Sequence, residues 1–184
     1  MKQGVPMQVT IRKFEKIDIP KKVEWINNPA NNRYLHYDLP LEIKKTESWF
    51  DQNAEKDDRF DAVIEADGVP VGLIGLLTID LKNKKAEYYI SMGELSYKGK
   101  GIAKKASYLI LDYGFNTLKL NRIFLYTETE NVLAQRLFES IGFIKEGCLK
   151  ADVYSHGNFV DRFVYGCVRD SWNKNYGNDN YSRT

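Results

Sequence analysis

Along the chain, the spacing of hydrophobic positions switches between a period of two and a period near 3.6, and each switch marks an element. Residues 7–14 (MQVTIRKF) alternate, which places Met7, Val9 and Ile11 on one face of a strand. Asp18 then opens a short helix toward Trp25, with Pro20 tolerated in its first turn. The stretch 27–40 (NNPANNRYLHYDLP) is dense in turn formers and predicts a loop. Helical spacing resumes over 41–54, where Ile43, Trp49 and Phe50 supply apolar anchors. Residues 59–65 and 69–79 read as strands joined by Ala-Asp-Gly, a tight-hairpin signal. A turn at 81–84 leads into a strand over 85–92 with Ala86, Tyr88 and Ile90 on one face.

The second half opens on YKGKGIAKKASYLILDYGF (97–115). Here Gly99 and Gly101 directly precede a helix whose Ile102, Ala106, Leu109, Ile110 and Tyr113 share a face. A strand starts at Arg122 (RIFLYTET), and a helix over 132–140 ends at Gly142, which suits a left-handed cap. Two further strands, 143–154 and 159–168, flank a His-Gly-Asn turn that leaves His156 exposed. The resulting order β-α-α-β-β-β-α-β-α-β-β predicts an α+β fold around one mixed sheet, not a doubly wound dinucleotide fold. The length, 184 residues, fits a single domain over 1–172, followed by a polar, flexible tail at 173–184.

Charge and cysteine content narrow the function classes. With 27 basic and 25 acidic residues the net charge is +2, so no global field calls for nucleic acid. Cys148 and Cys167 are too few for a disulfide framework and lack zinc-ligand spacing, so no metal site is expected. The most apolar run, VPVGLIGLLTI at 69–79, is too short to span a bilayer. With no signal segment before the first strand, a cytoplasmic protein without membrane contact is expected.

Glycines at the start of a helix let backbone N–H groups approach a phosphate. The dinucleotide fingerprint fails, because its third glycine is Lys104 here, and no Gly-Lys-Ser/Thr ending marks a Walker loop. On the loop alone, a purely structural turn stays open. The flanks carry more. AEYYISM (86–92), KGKGIA (98–103) and NVLAQRLFESIGF (131–143) together resemble, in order and separation, the GNAT superfamily of acetyl-CoA-dependent N-acetyltransferases. The loop corresponds to the family pattern R/Q-x-x-G-x-G/A, with Lys98 in place of Arg or Gln. The resemblance extends over about residues 8–172, and HGNFVDRFVYGCVRDSW is similar to the branch of ribosomal-protein N-terminal and spermidine acetyltransferases.

That resemblance implies a GNAT fold, a sheet splayed between its fourth and fifth strands, and about four flanking helices. It implies acetyl-CoA as co-substrate and a small-molecule or peptide amine as acceptor, acetylated by direct attack in a ternary complex; it also admits a homodimer. Backbone groups around Tyr89, Ile90 and Met92 would meet the pantetheine arm. Lys98, Gly99, Lys100, Gly101, Ile102 and Ala103 would hold the pyrophosphate, through amides, the helix dipole and lysine charge. Asn131 corresponds to the family Asn at the cofactor arm, and it equally suits a helix N-cap. Glu87 occupies the family's base position, since a primary amine must lose a proton before it attacks. A surface or structural role for Glu87 is the alternative. Phe138 stands where many relatives carry a tyrosine that protonates the departing thiolate, so this acid is absent. A thiolate with an ordinary pKa of about 8.5 leaves tolerably without one. A non-catalytic acyl-CoA-binding module of the same fold is the competing reading.

Other residues are expected in structural roles. Cys148 is expected to be buried in its strand, His36 solvated in its loop, and Trp25, Trp49 and Phe50 packed as core anchors. The acceptor side should involve residues 27–49, which mix Asp38 and Glu42 with Arg33, Lys44 and Lys45. Acidic residues there would favour a polyamine. Basic ones would favour a nucleotide-linked amino sugar or an acidic peptide.

Overall fold

The computed structural model describes residues 7–155 and 157–176, so His156 and the segment 177–184 fall outside the description. The expected elements form a seven-stranded sheet in the order β1-β2-β3-β4-β5-β7-β6. The strands are β1 (Val9–Lys13), β2 (Phe60–Ala66), β3 (Val69–Asp80), β4 (Lys85–Met92), β5 (Arg122–Glu128), β6 (Ile144–Ser155) and β7 (Asn158–Val168). Every neighbouring pair is antiparallel except β4 and β5, which run parallel. The sheet is therefore mixed, and its single parallel junction is the place where splaying was expected.

Helices cover both faces. On one side α4 (Ile102–Asp112), α5 (Val132–Ser140) and α6 (Arg169–Asn175) enclose the larger core. Ile64, Ile74, Leu76, Ile102, Ile110, Leu111, Phe115 and Tyr165 are completely or almost completely buried there. Each large apolar side chain removed from water in this way contributes about 1.5–3 kcal/mol. On the other side α1 (Ile19–Asn27) and α3 (Ile43–Asn53) close a smaller cluster of Phe14, Ile19, Trp25, Val63 and Leu73.

Four local expectations change. The stretch 27–40 contains a one-turn helix, α2 (Pro29–Asn32), because the Asn28 side chain accepts from the Ala30 N–H at 3.0 Å and Pro29 occupies the first turn. Asp18 precedes α1 but does not cap it with its side chain. Its carboxylate instead takes both guanidinium nitrogens of Arg12, at 2.7 and 2.8 Å, and the Glu15 N–H at 2.9 Å. The expected tail from residue 173 is ordered at its start: α6 runs to Asn175, Trp172 is buried, and the Tyr176 ring sits 5.5 Å from that of Tyr108. Cys148 is exposed, not buried, because β6 is the outermost strand and has only one neighbour. No helix among the described residues is long and apolar enough to cross a membrane.

Candidate active site

Parallel pairing between β4 and β5 covers only Lys85–Glu87 against Arg122–Phe124. Beyond Glu87 the strands part, and a cleft of about 1330 Å³ opens between them. A single small-molecule site takes about 300–1,000 Å³, so this cleft has room for two ligands side by side. The Gly93 N–H bonds the Val71 carbonyl at 2.9 Å, which sets the ladder between β3 and β4. Alternation along β4 then turns the backbone groups of Tyr88, Ile90 and Met92 toward the opening. Tyr89 turns its backbone to β3, and its side chain lines the cleft.

The glycine loop forms one end. Gly99 and Gly101 have φ of +78° and +76°, a left-handed backbone that glycine adopts without strain. A Cβ built on either meets nothing within 4 Å, so these amides stay open to whatever enters. Gly101 is the N-cap of α4, and the N–H groups of the first helical turn lack intrahelical partners. Such a cradle suits a pyrophosphate, which needs donors, little bulk and a positive dipole end.

The sequence-predicted site residues mostly converge here. Glu87, Tyr89, Ile90, Met92, Lys98, Gly99, Gly101, Ile102, Ala103, Asn131 and Phe138 all line the cleft. Lys100 does not; its ammonium lies 5.0 Å from the Tyr97 ring, outside the lining. Lys98 bonds Asn31 Oδ1 at 2.9 Å and thereby ties the glycine loop to α2. Asn131 does cap α5, accepting from the Ala134 N–H at 3.3 Å, while also bordering the cleft. Phe138 is buried against Tyr88 in an edge contact at 5.9 Å. Among the described residues, the Tyr88 hydroxyl pairs with Ser107 of α4, at 2.7 Å.

Glu87 is half-buried at the last paired position of β4, where the strands part. Burial raises its pKa from the ordinary glutamate value, and the positive charge of Arg162 opposes that rise. A carboxylate in such a setting is a stronger base than one in water.

Several cleft residues escaped the sequence reading. Glu128, buried at the end of β5, shares a hydrogen bond with His36 Nε2 at 2.7 Å, so His36 is an exposed loop residue, as expected, that is also tied to the cleft. Strand alternation was the available signal for Glu128, because Arg122, Phe124, Tyr126 and Glu128 share the face opposite the buried Ile123 and Leu125. Trp49 is half-buried, packs against the smaller core cluster as expected and also lines the cleft, with the Arg59 guanidinium 4.7 Å above its ring. Trp25 and Phe50 do pack as anchors.

Lys22 was also missed. It lies on the buried stripe Ile19, Lys22, Trp25, Ile26 of α1, so helical periodicity alone could have singled it out. Burial lowers its pKa to about 8 from the ordinary 10.5, with Asp61 and Arg59 pulling in opposite directions. Between those two values the unfolded chain holds more protons than the folded one, so the stability of the protein should rise with pH through this window. Lys22→Met should therefore stabilise the fold at pH 7, by up to about 3 kcal/mol before lost ring contacts offset part of it. Denaturant titrations of both proteins should show this advantage shrinking as pH climbs from about 8 toward 10.5. A pH-independent difference would contradict a charged, desolvated Lys22.

Comparison with known proteins agrees with this geometry. The acetyltransferase (GNAT) domain family matches residues 8–144. The spermidine N(1)-acetyltransferase of Escherichia coli K12 is 30% identical over 152 residues, covering 82% of this chain and 81% of that protein. An uncharacterised N-acetyltransferase of Bacillus subtilis, YokL, derived from the SPbeta prophage, is 30% identical over 143 residues, covering 78% and 79%. The crystal structure of Vibrio cholerae spermidine N-acetyltransferase in complex with CoA and spermine superposes with a TM-score of 0.84 at 27% identity. That superposition covers 90% of this chain and 98% of the other. With a matching domain over most of its length and the expected cleft at its one parallel strand junction, this chain belongs to the GNAT acetyltransferase family.

Proposed function

We propose that the protein transfers the acetyl group of acetyl-CoA to a primary amine, with both substrates held together in the cleft between β4 and β5. The observation that carries this reading is the abrupt end of β4–β5 pairing at Glu87, which opens a cleft also lined by the glycine-opened N-terminus of α4. Acetyl-CoA supplies an activated thioester. Amides of residues 99–103, uncovered by side chains at Gly99 and Gly101, hold its pyrophosphate. Backbone groups of Ile90 and Met92 pair with the amides of its arm, as an added strand pairs with a sheet edge. One such N–H directed at a carbonyl oxygen stabilises the charge that develops there, typically by a few kcal/mol.

Glu87 takes the proton that the amine must lose, directly or through one water, and its burial-raised pKa suits that task. Phe138 cannot donate a proton, so the thiolate leaves unassisted by that position. Structural support for a role of Lys98 is indirect, through its hold on Asn31. Lys104, in the first turn of α4 and in the cleft lining, is better placed than Lys100 to add charge near phosphates. A non-catalytic binding module gains nothing from a desolvated carboxylate at the strand junction, which favours the enzyme. Thermal unfolding with acetyl-CoA and, separately, with NAD tests the ligand class. Acetyl-CoA should raise the melting temperature and NAD should not; the reverse would remove this reading.

A further inference from the structure

The cleft continues away from the strand junction, beneath α1 and α3, to Asp61, Arg59 and Lys22. Asp61 faces Gly75 on β3, which faces Tyr89 on β4, so two strand spacings put it roughly 10 Å from β4. Its carboxylate is already engaged: Arg59 holds it through Nε at 2.6 Å and NH2 at 3.0 Å, and the Tyr89 hydroxyl donates to it at 2.7 Å. Lys22 is different. It is 8% exposed, lines the cleft, and has no carboxylate within ion-pair distance among the described residues. Its ammonium rests against the rings of Trp49 at 3.7 Å, Phe14 at 5.5 Å and Tyr37 at 6.0 Å.

A polyamine brings a second ammonium to such a place. It would find the aromatic box filled by Lys22 and the one local carboxylate neutralised by Arg59. Asp38 and Glu42 offer no relief, since neither lines the cleft and Glu42 bonds Lys45 at 2.5 Å. Eight Lys and Arg side chains line the cleft against three carboxylates; Arg33, Lys45 and Arg162 are paired with Glu130, Glu42 and Asp152 outside the lining, and the remaining five cations still outnumber the three acids. Like charges in a confined, desolvated space reject the wrong partner, and an unpaired ammonium attracts an anion.

Resting on the reading of this cleft as an acetyl-transfer site, we propose that the acceptor is a primary amine bearing an anionic group at its far end. That group, a carboxylate or a phosphate, is held by Lys22 with Arg59 beside it. The amine reaches Glu87 at the strand junction while the anion occupies the end under α1. Relatives named as spermidine acetyltransferases share 30% of their residues with this chain over the matched region. A shared fold at that identity does not fix the acceptor, because specificity resides in the site and not in the scaffold.

The test uses four amines with one hexyl chain and different ends: aminohexanoate, aminohexyl phosphate, aminohexanol and diaminohexane. Calorimetry on CoA-loaded wild type and Lys22→Met reads their affinities. At least one anionic amine should bind wild type tenfold or more tightly than diaminohexane, and Lys22→Met should abolish that preference. The carboxylate and phosphate arms tell the two anions apart. Equal or tighter binding of the diamine, a preference that survives Lys22→Met, or no binding by any of the four would overturn the proposal. The wild-type series decides the matter even if the variant does not fold. Loss of the acetyl-transfer reading would show differently, as a failure of CoA itself to bind.

Discussion

Replacing Gly101 with valine should raise the Michaelis constant for acetyl-CoA by about tenfold or more, because a branched side chain would cover the amides of the α4 N-terminus. The space beside this residue is free of protein atoms within 4 Å, so nothing in the fold itself resists the new side chain. Two costs then combine: the side chain occupies the place of the phosphates, and φ of +76° is strained for a branched residue. Gly68 separates them. It has φ of +78° and equally open space, but lies in the turn between β2 and β3 and does not line the cleft. Gly68→Val should lose comparable stability and keep acetyl-CoA affinity; Gly101→Val should lose both. Unchanged acetyl-CoA affinity in a folded Gly101→Val protein would mean that the pyrophosphate sits elsewhere.

Glu87→Gln should lower turnover on the order of a hundredfold while leaving acetyl-CoA affinity nearly intact, since shape is kept and basicity removed. Burial raises the Glu87 pKa, so the acid limb of the wild-type kcat/KM profile should lie above that of an ordinary exposed glutamate. Below that limb Glu87 is protonated and cannot accept the proton of the amine; above it the carboxylate is free. The variant should lack this limb, and its deficit should shrink as pH rises, because more amine is then already neutral. Arg162 opposes the shift in wild type, so its charge keeps the limb lower than burial alone would place it. A Glu87→Gln enzyme with wild-type turnover across the profile would transfer proton removal to water and leave this glutamate a strand residue.

The parts of this account that were legible in the sequence are those with local causes. Strand β4 was readable at residues 85–92 because its alternation is bounded by a turn before it and the glycine loop after it. Helix α5 was readable at 132–140 because a capping Asn131 precedes it and Gly142, with φ of +100°, ends it. The glycine loop and the end of β4, both of which line the cleft, were readable for the same reason, each being one continuous segment. The rest of the lining was only partly so: several residues between 30 and 49 do line the cleft, but what they meet comes from distant segments. His36 and Glu128 meet across 92 positions of sequence, and Lys22 gains its environment from Phe14, Tyr37 and Trp49 in three separate stretches of chain. Cys148 was misjudged because strand order decides which strand lies at the edge, and alternation within β6 carries no trace of that order. Charge differs between the two scales: nearly balanced over the chain, with a modest excess of cations in the cleft.

The most direct measurement follows CoA thiol release alongside the acetylated amine, in one reaction, with and without acceptor. The account predicts that release waits for the amine, that N-acetylated product appears in equal amount, and that the protein itself carries no acetyl group afterwards. Thiol release that no amine stimulates, from a protein that acetyl-CoA does not stabilise, would contradict it.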